Sequence, residues 1–148
     1  MREPRILDSL ETLSEEAALF ASSLAPVPGR ATLVTLSGEL GAGKTAFTQA
    51  AARSLGVTDA VTSPTFVLLK SYPLAGMPFE TLVHIDAYRL TGGEELAPLA
   101  FDAVMHDAGT LVMLEWPEMV ADGLPHADIS IRLEALPDES RSITYAYA

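Results

Sequence analysis

The chain has 148 residues, 49% hydrophobic and 20% charged, which predicts one domain over residues 1–148 with a sizeable core. Nine Lys and Arg stand against twenty Asp and Glu, a formal net charge of −11 with no basic cluster, which argues against independent gripping of RNA or DNA by its phosphates and suits a basic protein partner. The absence of cysteine excludes disulfides and thiolate metal sites, no apolar run nears the roughly 18 residues that cross a bilayer, and Met1-Arg2-Glu3-Pro4-Arg5 lacks a signal peptide's apolar core, so the expected location is cytoplasmic.

In chain order, Ser14-Glu15-Glu16 predicts a helix start, a capping hydroxyl followed by acids. Ala17, Leu19, Phe20 and Leu24 continue an amphipathic pattern until Pro26 and Pro28 stop it. Ala31 to Leu36 is an apolar run that predicts a buried strand. Thr45 to Leu55 predicts a helix, with Ala46, Phe47, Ala50, Ala51 and Leu55 apolar, Gln49 and Arg53 polar, and Gly56 as its end. Between strand and helix lies Gly38-Glu39-Leu40-Gly41-Ala42-Gly43-Lys44-Thr45, which fits the phosphate-loop pattern G-x-x-x-x-G-K-[ST] without a mismatch and in the setting the motif requires.

The chemistry of that loop follows from its residue types. Glycines at 38, 41 and 43 free the backbone to turn successive N–H groups onto one anion, and the positive end of the following helix adds to the field. Lys44 supplies a mobile cation for the outer phosphates, and the Thr45 hydroxyl can ligate Mg²⁺. The loop therefore predicts binding of a nucleoside triphosphate.

Thr62-Ser63-Pro64-Thr65-Phe66 follows, a loop entering a strand predicted from Phe66 to Tyr72. Its hydroxyls could sense a γ-phosphate as switch loops do, or the Ser-Pro pair could simply open the strand; both readings stand. A strand is predicted over Thr81 to Ile85, a helix from Glu94 to Met105, and a buried strand over Leu111 to Leu114 ended by Trp116-Pro117. Strands near Ile129 to Leu133 and Ser142 to Tyr147 flank a hairpin turn at residues 136–140. The fold class is α/β, a P-loop NTPase-like sheet with flanking helices and antiparallel C-terminal strands.

A triphosphate site needs an acid where a buried strand ends, and both Glu115 and Asp86 stand at such ends. Which of them contacts the metal directly is open from the sequence. His84, inside the strand before Asp86, reads as a satisfied core histidine. Tyr88-Arg89-Leu90 reads as a packed turn or a partner surface, and Arg89 could also neutralise charge in the transition state.

Together, GELGAGKT at 38–45, TSPTF at 62–66, HIDAYRL at 84–90, EEL at 94–96 and LEWPE at 114–118 resemble the TsaE family, the P-loop ATPases of bacterial tRNA threonylcarbamoyladenosine biosynthesis. The resemblance implies that Gly41, Ala42, Gly43, Lys44, Thr45 and Ala46 hold the phosphates of ATP. It implies Mg²⁺ at Thr45 with Glu115 and Asp86, which with Lys44 form the catalytic set. Ser63 and Thr65 would belong to a switch-like loop, and Trp116 would lie beside the nucleotide. The N-terminal segment would supply part of the adenine pocket, making Thr12 and the residues to Glu16 candidates, and Arg141 would approach the base from the C-terminal hairpin. The implied partners are TsaD and TsaB, which modify adenosine 37 of tRNAs reading codons that begin with A; tRNA would be met only through that complex, and no membrane is involved. The chain departs from the family pattern after its E-E-L, where the usual glycine is replaced within Leu99-Ala100-Phe101.

Two rivals share the phosphate loop. A small-molecule kinase would need an acceptor pocket and a basic lid, whereas the seven arginines are scattered and no lid-like insertion separates the strands. A GTPase switch normally reads guanine through an N-K-x-D block, and the chain contains no asparagine.

Overall fold

The computed structural model describes residues 4–57, 69–74 and 78–148. Strands β1 (Arg5–Leu7), β2 (Thr32–Ser37), β3 (Leu69–Pro73), β4 (Thr81–Asp86), β5 (Thr110–Glu115), β6 (Ile129–Ala135) and β7 (Arg141–Tyr147) form one seven-stranded sheet. Their order is β1-β7-β6-β2-β5-β4-β3. The central β4, β5, β2 and β6 run parallel, and β3, β7 and β1 join antiparallel at the two sides.

The apolar runs decide this layering. Parallel strands covered on both faces need apolar residues at every position, and β2 and β5 are buried almost throughout. Val34, Leu36, Leu82, Leu111 and Met113 face helices α1 (Leu10–Ser23) and α2 (Lys44–Ser54). Leu33, Val83, Ile85, Val112 and Leu114 face the opposite layer, built from a 3₁₀ segment (Gly93–Leu99), the short helix α3 (Phe101–Met105) and Val120. Strand β6 alternates instead, with Ile129, Ile131 and Leu133 inward and Ser130, Arg132 and Glu134 outward. At its start Arg30 forks onto Asp128 at 2.9 and 2.7 Å and holds that carboxyl below the usual carboxylate range. Asp128 also accepts the Leu33 N–H at 2.8 Å, tying β2 to β6. Among the described residues no helix is long and apolar enough to cross a membrane.

Two predicted elements need correction. The first helix begins at Leu10, not at Ser14: Ser9 is the cap, and Ser9 and Thr12 bond each other's backbone N–H groups in a capping box. Ser14-Glu15-Glu16 therefore lies in the second turn, where Glu16 is buried and accepts bonds from Tyr145 at 2.7 Å and Arg5 at 3.2 Å. Burial and this carboxylate push the Tyr145 hydroxyl far above its ordinary range. The predicted helix from Glu94 to Met105 is also broken. Gly93–Leu99, with Pro98 inside it, winds as a 3₁₀ run, and Ala100 takes a left-handed conformation (φ 57°, ψ 36°) before α3 starts. The three-residue β1, paired with β7, was too short to leave a periodic signal.

Ala100, in the stretch Leu99-Ala100-Phe101, holds a positive φ that glycine adopts at less cost than alanine. The left-handed backbone costs alanine about 1–2 kcal/mol, while glycine adds about 0.4–1 kcal/mol of unfolded-chain entropy. Ala100→Gly should therefore stabilise the fold by about 0.5 kcal/mol in urea unfolding, and a loss of stability would mean that this methyl makes contacts worth more than the strain.

Candidate active site

Strands β2, β4 and β5 end side by side, with Leu36 opposite Glu115 and Asp86 opposite Glu115 in the ladders. The phosphate loop rises from the end of β2. Gly38 (φ 143°) is pressed against β6 so closely that a Cβ there would overlap the Leu133 carbonyl oxygen. Gly43 caps α2 in a left-handed conformation (φ 103°) with no side-chain cap, so the first-turn N–H groups of α2 are left for a ligand.

Lys44 is only 5% exposed. Its Nζ donates to the carbonyl of Glu39 at 3.0 Å and to that of Gly38, and it sits 4.0 Å from the centre of the Trp116 ring. Burial lowers the Lys44 ammonium from its ordinary range, opposed by Glu115, Glu118 and Asp86. Trp116 follows β5 in a left-handed conformation (φ 63°, ψ 52°), held by a bond from its N–H to the Leu36 carbonyl at 3.1 Å and by the Tyr88 ring at 4.9 Å. A bulky residue at positive φ is uncommon, and here it turns the indole back over the lysine.

The Thr45 hydroxyl lies 3.0 Å from each oxygen of Glu115. The same carboxylate receives His84 Nε2 at 2.6 Å. Asp86 accepts the Tyr88 N–H at 3.0 Å. Among the described residues no group of three His, Cys, Asp or Glu side chains forms a metal cage. Mg²⁺ does not need one, since it is usually held by one or two carboxylates with substrate phosphates and water. A hydroxyl and a carboxylate converging beside a phosphate loop suit that hard cation.

Gly41, Gly43, Lys44, Thr45, Ala46, Asp86, Arg89, Glu115, Trp116 and Arg141 all line one cavity of about 530 Å³. That volume lies within the range of small-molecule sites. Of the other residues singled out from the sequence, Ala42 is packed into the core instead, and Thr12 spends its hydroxyl on the helix cap outside this lining. Ser63 and Thr65 lie outside the described residues. Leu13, within the Thr12–Glu16 stretch singled out from the sequence, does line the cavity; sequence reasoning missed Leu7 and Leu10, which with Leu13 make an apolar wall from β1 and the start of α1, as well as Ser9 and Glu139. Recognising Ser9-x-x-Thr12 as a capping box would have placed that helix start correctly. Arg141 stands over the phosphate loop: a side chain at Gly43 would meet Arg141 Nε and Leu13 Cδ1, each at 3.8 Å.

Comparison with known proteins agrees with this geometry. Residues 10–143 match the model of one family, described as threonylcarbamoyl adenosine biosynthesis protein TsaE. The chain is 42% identical over 117 residues to the tRNA threonylcarbamoyladenosine biosynthesis protein TsaE of Streptomyces coelicolor, covering 76% of this chain and 77% of that one. It is 35% identical over 131 residues to the protein of the same name from Bacillus subtilis, covering 88% and 79%. Its fold is similar to the crystal structure of Bacillus subtilis YdiB, with a TM-score of 0.78 and 30% identity over 98% of this chain and 84% of that one. With the family model matching residues 10–143 and the phosphate loop seated among the strand-end acids, this chain belongs to the TsaE family.

Proposed function

We propose that the chain is a Mg²⁺-dependent ATPase, working as a single unit in the cytoplasm with the TsaD–TsaB pair in forming the threonylcarbamoyl group on adenosine 37 of tRNAs that read codons beginning with A. The observation that carries this reading is the shared cavity, in which the phosphate loop, Lys44, the Thr45–Glu115 pair and Asp86 meet an apolar wall fit for a base. Loop N–H groups and the start of α2 hold the phosphates, and Lys44 neutralises the outer pair. Thr45 and Glu115 would hold Mg²⁺, which when bound draws charge from the phosphate oxygens. Asp86, beside Glu115 on the next strand, orients the attacking water. Trp116 and Tyr88 shield this end of the site from solvent, and Leu10, Leu13 and Arg141 receive the adenine.

A chain with net charge −11 is suited to acting through a protein partner rather than gripping tRNA itself. Arg89 and Arg141 are the arginines in the cavity lining, and Arg141 already donates to the Glu139 carbonyl at 2.8 Å. Turnover by the purified chain alone should therefore be slow, and TsaD–TsaB should raise it by about tenfold or more, as partners that complete phosphoryl-transfer sites do. Phosphate release measured with and without the pair tests this. Rapid hydrolysis indifferent to the partners would overturn the partner role, and phosphate appearing on a metabolite instead of free in solution would turn the reading toward a kinase.

A further inference from the structure

Leu82, His84 and Asp86 alternate along β4, so all three side chains leave the face of the sheet that also carries Met113 and Glu115. That row is apolar until it reaches the cavity, and an imidazole in it is costly to bury unless it is bonded. His84 is completely buried and outside the cavity lining, with Nε2 2.6 Å from Glu115 Oε2. Facing a carboxylate, Nε2 is the donor. Nδ1 has no partner among the described residues, so Glu115 is the group that fixes the ring's polar edge.

We infer that His84 is a positioning residue: it pins one oxygen of Glu115 so that the carboxylate stays turned toward Thr45. Thr45 Oγ1 is equidistant from both carboxylate oxygens at 3.0 Å, so the threonine alone does not choose between them. The shorter bond from His84 falls on Oε2 alone and removes that ambiguity. Rotating the carboxylate out of this plane would break a buried hydrogen bond and leave the imidazole unsatisfied. The inference rests on the reading of the cavity as a Mg²⁺–nucleotide site, where donors behind a ligating carboxylate set its orientation and affinity.

Trp116, the sole tryptophan, reports on the site by fluorescence. ADP is bound to the wild-type chain, His84→Leu and His84→Gln, and Mg²⁺ is titrated in without hydrolysis. His84→Leu should raise the half-saturating Mg²⁺ concentration about tenfold and leave ADP affinity in EDTA within about twofold, while His84→Gln, whose amide can still donate, should recover to within about threefold of wild type. Unchanged Mg²⁺ dependence in His84→Leu, or a glutamine variant no better than the leucine one, overturns the inference. A wild-type chain whose nucleotide binding ignores Mg²⁺ overturns the reading of the site itself, which separates the two failures. Nitrogen NMR of the native chain, which has three histidines, provides a check that needs no variant to fold. The His84 signal should show the proton on Nε2, and a proton on Nδ1 alone would sink the proposal.

Discussion

Lys44→Ala should abolish ATP turnover, by about 10² to 10³-fold or more, and leave the fold intact. The size follows from the position of Nζ. It is buried, bonded to two loop carbonyls and held over Trp116, and it stands among Glu115, Glu118 and Asp86. Without it, phosphates entering the cavity would meet those acids with no facing ammonium, and charge developing on the outer phosphate would go unanswered. Stability should change little, because removing the buried ammonium also removes its desolvation cost. Phosphate release measured beside the melting temperature tests both halves. Turnover surviving in a folded variant would mean that another cation answers the phosphates.

Gly38→Ala should be the most damaging small substitution in the phosphate loop. Its φ of 143° is unfavourable for any side chain, and the added methyl would overlap the backbone oxygen of Leu133, a fully buried residue of β6. Neither partner can rotate away, so the loop must lift from the sheet or β6 must shift. The expected cost is about 3 kcal/mol, or roughly 10 °C in melting temperature, with nucleotide affinity lost as the loop leaves its seat. Gly41→Ala is the internal control. Gly41 also has positive φ, at 81°, but open space surrounds the position of its missing Cβ, so the cost should be nearer 1 kcal/mol. Equal urea-unfolding midpoints for the two variants would show that backbone conformation, not contact with Leu133, sets the requirement.

The features legible in the chain were those written in local order. The glycine spacing and Lys44-Thr45 declare a phosphate loop, and the unbroken apolar runs of β2 and β5 declare buried parallel strands ending in Glu115 and beside Asp86. The hairpin turn at residues 136–140 between two strand-like runs likewise announced the antiparallel C-terminal pair. Each of these depends on a period or a spacing within about ten residues, which a sequence displays directly.

What the tertiary structure alone decided was which distant residues meet. Strand register sets His84 of β4 opposite Met113 and Asp86 opposite Glu115, so His84 reaches Glu115 diagonally on one face of the sheet, a contact that makes an apparently ordinary core histidine part of the site's support. Pairing of β1 with β7 brings Leu7, Ser9, Leu10 and Leu13 toward Arg141 and Glu139, so one wall of the cavity is assembled from the two ends of the chain. Backbone conformation was equally hidden: Trp116 and Ala100 adopt left-handed geometry that neither residue favours by itself. Side-chain periodicity reports which face of an element is buried, but contact between elements, and the strain it sustains, depends on how all of them pack together.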